Sequence, residues 1–176
     1  MEILIRQEKK EDYLTVHNVV QAAFANDPHG DHTEHLLVER LRQSAAFIPE
    51  LSLVALNEDK IVGHILLTKI KINNDQESFP SLSLAPVSVH PEFQNMGIGG
   101  KLIIEAHQIS RRLGHNSVIV LGHENYYPRF GYRKASDFKI RLPFEARDEN
   151  CMAIELIENG LSGVSGTVEY PKAFFE

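Results

Sequence analysis

Residues 2–6, EILIR, alternate apolar and polar positions, the period of a half-buried strand. The next stretch, KKEDYLTVHNVVQAAFA, spaces Tyr13, Val16, Val20, Ala23 and Phe24 three or four apart, which predicts an amphipathic helix. Pro28 and Gly30 break it, and helical spacing resumes through Leu36, Leu37, Arg40 and Leu41, ending near Pro49. Two β-rich runs follow, LSLVALN and KIVGHILLTKIKI. They meet at Glu58–Asp59, so short a polar joint that an antiparallel hairpin is expected. NNDQESFP reads as a loop, and LSLAPVSV (82–89) as another strand. Pro86 lies inside that strand and cannot donate to a sheet ladder, so an edge or a bulge is expected there.

A helix over 98–113 follows, with Ile98, Leu102, Ala106, Ile109 and Leu113 as its inner stripe. Lys101, Glu105, Gln108, Arg111 and Arg112 fall mainly on the other side, and Gly114 stands where left-handed helix stops are common. NSVIVLG reads as a short buried strand, and HENYYPRFGY as a polar-aromatic break with room for one helical turn. FKIRLPF and CMAIELI are two further strands, and the tail is glycine-rich, then extended. The resulting order, β–α–α–β–β–β–α–β–(short α)–β–β, implies an α+β fold with a mostly antiparallel sheet and flanking helices. Strand 82–89, helix 98–113 and strand 117–121 form the one clear crossover, a parallel right-handed βαβ unit.

At 176 residues the chain is expected to be one domain, with a core over about 1–157 and a C-terminal extension over 158–176. Its net charge of −6 argues against a nucleic-acid partner, which needs a broad basic face. A small basic pocket for one anion remains compatible with that charge. The single cysteine, Cys151, excludes an intrachain disulfide and a multi-cysteine metal site. It is expected to be a small buried apolar residue rather than an acyl-carrying nucleophile. The start of the chain carries no apolar stretch of signal-peptide length, and no run approaches membrane-spanning length. A cytoplasmic location without membrane association is therefore expected.

The chain has 11 glycines, and three of them, Gly97, Gly99 and Gly100, crowd the start of the helix over 98–113. The first turn of a helix has unpaired N–H groups and the positive end of the macrodipole. Glycine removes the bulk that would hold a ligand off the backbone, so the segment is a potential seat for phosphate. The phosphate-loop spacing GxxxxGK[ST] does not fit, and GxGxxG would need glycine where Leu102 stands. A ligand-free strand-to-helix turn is the alternative for a bare GxG.

The longer context, VSVHPEFQNMGIGGKLI, resembles the acetyl-CoA-binding segment of the GCN5-related N-acetyltransferases (GNAT). There a strand, His/Asp-Pro and an aromatic residue precede Gln/Arg-x-x-Gly-x-Gly/Ala, here Gln94-Asn95-Met96-Gly97-Ile98-Gly99. YYPRFGY resembles the same family's Tyr-x-x-x-Gly-Phe/Tyr, and the order of elements agrees over roughly 1–157. The resemblance implies a GNAT-type fold and acetyl transfer from acetyl-CoA, as donor cosubstrate without a metal, to a primary amine. It implies that the CoA diphosphate sits on backbone amides of Met96, Gly97, Ile98, Gly99, Gly100 and Lys101, with Gln94 and Asn95 of the same signature also binding the cofactor. The pantetheine arm pairs, strand-like, with Val87, Ser88 and Val89, and an N–H near Val87 polarises the acetyl carbonyl, a contact often worth about 3–4 kcal/mol.

By the same resemblance Tyr127 is the acid that protonates the departing thiolate, and Asn125 contacts the cofactor. Tyr127 as an ordinary core residue is the alternative, and Tyr126 is its competitor for the acid role. The general base is not fixed: His123, His64, Glu124, Glu34 or water fit the fold. Arg111 and Arg112 either meet the 3′-phosphate of CoA or form a solvated face. The run His29, Asp31, His32, Glu34, His35 is expected to contact the acceptor rather than bind a metal. The acceptor is a small-molecule amine or a protein amine, the chain is a monomer or homodimer, and a non-catalytic CoA-binding module is the rival reading.

Overall fold

A computed structural model describes residues 1–176. Its strands are β1 (Ile3–Gln7), β2 (Ser52–Asn57), β3 (Lys60–Asn73), β4 (Ser78–Val89), β5 (Ser117–Leu121), β6 (Arg133–Lys134), β7 (Ile140–Arg141), β8 (Cys151–Glu155) and β9 (Gly166–Glu169). Its helices are α1 (Tyr13–Phe24), α2 (Glu34–Arg42) and α3 (Ile98–Arg112). All nine strands form one sheet in the order β1-β2-β3-β4-β5-β8-β6, with β9 beside β3 and β7. Only β4–β5 and β7–β9 run parallel. The fold is therefore α+β, and β4–α3–β5 is the expected parallel crossover. No helix is long and apolar enough to cross a membrane.

Strand alternation sorts the core onto two faces. Leu53, Ala55, Val62, Ile65 and Leu67 point toward α3 and pack with its Ile98, Leu102 and Ala106. Their neighbours Val54, Leu56, Ile61 and Leu66 point the other way, onto Val16, Val20, Val38 and Leu41 of α1 and α2. Beyond those helices the same face carries a third cluster that includes Ile70, Ile72, Ile119 and Val168. Each Val, Leu or Ile side chain among these, taken fully out of water, contributes about 1.5–3 kcal/mol.

The hairpin forms as expected, with Glu58 in the left-handed region of the two-residue turn. The loop expected over 73–80 is shorter. Phe79 packs on the third cluster and extends β4 back to Ser78, so the turn is Asn74–Glu77. The Asn74 carboxamide closes that turn by accepting from the Gln76 and Glu77 N–H groups.

Two helical stripes are rotated from their expected positions. In α2 the buried residues are His35, Val38 and Leu41, while Leu36 is exposed. In α3 His107 and Ser110 turn inward and Leu113 outward. His107 meets the Tyr132 hydroxyl at 2.8 Å, and Ser110 donates to the Ala106 carbonyl at 2.7 Å. A polar side chain with its partner supplied costs little to bury, so polarity alone misplaced the stripe.

β6 and β9 are two and four residues long, too short to show a period. β9 can lie beside β3 because residue 166 is glycine: φ is +132°, and a Cβ would stand 2.1 Å from the Asn73 carbonyl oxygen.

β4 is the strand that shapes the site. Val87 stands opposite Ile65 but Leu84 opposite Leu67, so Ala85 and Pro86 together face Leu66 as the expected bulge. On its other side β4 pairs with β5 only at Leu82–Val118 and Ser83–Ile119. β5 then follows β8, and the sheet is open between the ends of β4 and β5.

Candidate active site

A cavity of about 530 Å³ lies at the N-terminus of α3, against the last residues of β4. The local sequence explains why it is there. Asn95 and Gly97 both adopt positive φ, turning the chain sharply out of β4 and into the helix. Gly97 is the N-cap and supplies no side chain to cap the first turn. The helical ladder begins with the Lys101 N–H donating to the Gly97 carbonyl at 3.1 Å. The N–H groups of Ile98, Gly99 and Gly100 therefore lie in the uncapped first turn, at the positive end of the helix dipole.

The glycines have distinct reasons. Gly97 is needed for its φ of +80°. At Gly99 a Cβ would come within 2.9 Å of the Tyr126 hydroxyl, so that position is crowded from inside the cavity. Gly100 would make only ordinary contact with Phe130.

Of the residues expected to bind cofactor, Val87, Val89, Gln94 and Asn95 line the cavity, as do Gly97, Ile98, Gly99 and Gly100. Gln94 also fixes the loop to the strand, its Nε2 donating to the Val89 carbonyl at 3.0 Å. Met96, Lys101 and Asn125 are exposed and are not part of the lining. Ser88 points to the opposite face, as alternation requires. It is buried across from His64, and its hydroxyl has no partner.

Sequence reasoning missed Phe93 and Arg129, and had Tyr126 only as a competitor; all three line the cavity. The Arg129 guanidinium stands 5.0 Å from the centre of the Tyr126 ring. No aspartate or glutamate lines the cavity, so a chain of net charge −6 presents here an arginine and a free helix N-terminus. That local field suits an anion.

Tyr127 opens a short 3-10 turn that ends on Gly131, at φ +103°. It is buried and does not line the cavity, standing edge-on to Tyr126 at 5.1 Å and to Tyr132 at 5.6 Å. Its ring fills the space a side chain at 122 would need: a Cβ on Gly122 would lie 2.3 Å from it. Burial pushes the Tyr127 phenol well above its ordinary range, and burial raises Tyr126 as well.

The candidate bases separate by environment. His64 is fully buried and pushed down to about 4 by that burial. It belongs to a chain of polar groups unseen in the sequence. Arg42 donates twice to Glu8, at 3.1 and 2.6 Å. The Ser52 hydroxyl donates to Glu8 at 2.9 Å and lies 3.0 Å from His64 Nε2. The His64 Nδ1 is buried without a partner. His123 is exposed, and its Nδ1 accepts from the Asn125 N–H at 3.1 Å. Glu124 pairs with Arg147 at 3.6 Å. Glu34 begins α2, with one carboxylate oxygen buried and unpartnered.

No group of three His, Cys, Asp or Glu is close enough to share a metal ion. Around the expected acceptor run, His17 instead pairs with Glu39 at 2.7 Å and stacks edge-on against His35. Arg111 is held to the fold, donating to the Leu156 carbonyl at 2.6 Å. Cys151 is buried, donates to the Arg147 carbonyl at 3.4 Å, and its thiol is raised by burial, the opposite of an activated nucleophile.

Comparison with known proteins agrees with this geometry. A family model described as an acetyltransferase (GNAT) domain matches residues 4–135. The uncharacterized N-acetyltransferase YjhQ of Escherichia coli K12 is 37% identical over 142 residues, covering 80% of this chain and 76% of YjhQ. The uncharacterized N-acetyltransferase YhbS of the same strain is 25% identical over 98% of both chains. Among solved structures, YhbS from Escherichia coli in complex with CoA superposes with a TM-score of 0.89 at 24% identity, covering 100% of this chain and 93% of that one. A GNAT family acetyltransferase from Brucella melitensis in complex with acetyl-CoA gives 0.79 at 30% identity, over 98% of each chain.

Proposed function

Because this chain belongs to the GNAT acetyltransferases, we propose that it transfers the acetyl group of acetyl-CoA to a primary amine by direct attack in a ternary complex. The observation that carries this reading is the uncapped first turn of α3, opening on an acid-free cavity walled by Val87 and Val89. Its amides suit the diphosphate, and Arg129 adds positive charge beside them. The strand end at Val87–Val89, unpaired toward β5, offers backbone groups to the pantetheine amides.

In the reaction the thioester C–S bond breaks and a C–N bond forms. The carbonyl oxygen gains negative charge in between, and the N–H near Val87 is its donor. The amine attacks in its neutral form and loses one further proton, which passes to solvent, as the thiolate departs.

Tyr127 acts on that thiolate. A phenol raised above its ordinary value of about 10 stays protonated around neutrality, whereas a thiol titrates near 8.5. Complete proton transfer from phenol to thiolate is thus uphill by about 2 kcal/mol or more. Tyr127 therefore donates a hydrogen bond to the developing charge rather than surrendering its proton, and Tyr126 packs against the cofactor from the cavity side. No residue of β4 is a base, and His64 is fully buried, so proton acceptance falls to water or to the exposed His123 beyond the end of β5.

The test is release of free CoA thiol over a panel of amines, with titration of acetyl-CoA, CoA, ATP and NAD by calorimetry. Acetyl-CoA and CoA are expected to bind, ATP and NAD are not, and thiol release is expected to depend on the amine. Tight CoA binding with no amine-dependent release supports the non-catalytic module instead. Equal binding of ATP or NAD removes the CoA reading.

A further inference from the structure

A second cavity, of about 300 Å³, borders the same opening in the sheet from the other face. Its floor is the β4 chain at Leu84 and Ala85, with the Leu84 side chain itself packed in the α3-side cluster, and Leu121 of β5, all just past the last β4–β5 pair. Leu121 shares the face of Ile119, which packs in the cluster away from α3, so this cavity and the first lie on opposite sides of the sheet. Its walls are Phe144, Tyr170, Phe174 and Phe175. Tyr170 organises them: it stacks on Phe144 at 5.9 Å, lies tilted 4.9 Å from Phe174 and stands edge-on to Phe175 at 6.2 Å. Phe144, Phe175 and Leu121 are 41%, 64% and 47% exposed, an apolar surface left open around the mouth. No charged side chain lines the cavity, and Ser83 is the one lining residue besides Tyr170 that carries a polar side-chain group.

We propose that this aromatic cavity seats the acceptor, and that the acceptor is an amine on an uncharged aromatic or aliphatic body, of arylalkylamine type. The proposal rests on the donor reading above, because an acetyl group threaded from the first cavity emerges through the β4–β5 opening directly at this one. The volume is at the small end of ligand sites, enough for a single ring with a short arm. The chemistry of the walls decides the class. A polyamine or aminoglycoside would need carboxylates for its extra charges, and an α-amino acid would need a cation for its carboxylate; the cavity offers neither. Aromatic walls reward apolar area and ring stacking. They also favour the neutral amine, because desolvation lowers an ammonium pKa, and the attacking form is thus populated without a dedicated base.

The experiment uses the full chain. Thiol release is measured with 2-phenylethylamine, hexylamine, spermidine, kanamycin and glycine. Binding of 2-phenylethylamine to the CoA-loaded protein is followed by calorimetry. Expected is a kcat/KM for 2-phenylethylamine and hexylamine at least tenfold above that for the other three. Phe144→Ala and Phe175→Ala, both at exposed rings, should each raise the 2-phenylethylamine KM by about tenfold, the order expected from losing one apolar wall. The CoA affinity of both variants should be unchanged.

Preference for spermidine, kanamycin or glycine overturns the proposal, as does absence of both turnover and binding of 2-phenylethylamine. If Phe175→Ala dissociates a dimer in light scattering while acceptor kinetics stay as in the parent, the patch is a subunit contact and the proposal fails. If CoA itself does not bind, the failure lies in the donor reading.

Discussion

Gly99→Glu separates the fold from the binding of the donor. Residue 99 is the second residue of α3, in the turn where a carboxylate complements the dipole by about 0.3–1 kcal/mol. Replacing glycine with a better helix former adds up to about 1 kcal/mol. Against this stands one close contact: the new Cβ would lie 2.9 Å from the Tyr126 hydroxyl, the far end of a side chain that can swing aside. The fold is therefore expected to melt within a few degrees of the parent.

Donor binding has no such compensation. The new carboxylate occupies the uncapped amides and repels the diphosphate. One pair of charges about 5 Å apart at an effective dielectric constant of 20 interacts by about 3 kcal/mol. That is about two orders of magnitude in affinity. Calorimetric titration with CoA, paired with a melting curve, measures both quantities on one sample. A folded Gly99→Glu protein that binds CoA within threefold of the parent would refute the seating of the diphosphate on α3.

Three further outcomes are expected. Tyr127→Phe should lower kcat more than it changes the acetyl-CoA KM, and Tyr126→Phe should leave kcat nearer the parent; steady-state kinetics that reverse this order assign the donor role to Tyr126. Arg42→Met leaves the Glu8 carboxylate buried beside Ser52 and His64, at a cost of about 3–5 kcal/mol in urea unfolding; a loss below about 1 kcal/mol would mean that the pair is solvated. Stability should fall on acidification: His64 and His107 are both held neutral by burial, at about 4 against 6.5 unfolded. Their contribution is complete above 6.5 and is lost as pH falls toward 4, by up to about 1.4 kcal/mol per pH unit for each. Urea midpoints that do not move between pH 7 and 5 would contradict it.

Local signals made half of the molecule legible. The β4–α3–β5 crossover, the bulge at Pro86 and the glycine-lined strand-to-helix turn at Gly97 follow from periods, a missing N–H and a missing Cβ. Each is a property of a few neighbouring residues. The remainder depends on pairings across the chain. Phe93, Tyr126 and Arg129 meet at one cavity only because α3 and β5 carry the chain back over it. Glu8, Arg42, Ser52 and His64 come from four separate segments, and nothing at any one of them announces burial. Phe144 is far in sequence from Tyr170, Phe174 and Phe175, and the tail reads only as glycine-rich and then extended, with nothing in it to say that Gly166 admits β9 to the sheet beside β3.

The two-rung ladder between β4 and β5 has a mechanical consequence. One half-sheet, β1 to β4, and the other, β5 with β8 and β6, are stitched by Leu82–Val118 and Ser83–Ile119 and by the hydroxyl contact of Ser81 with Ser117, with α3 as the connecting strap. Amide protons flanking that seam should exchange earlier than those of the β2–β3 ladder. Any molecule lodged across it works as a splint, so occupancy will register first as slowed exchange along the seam.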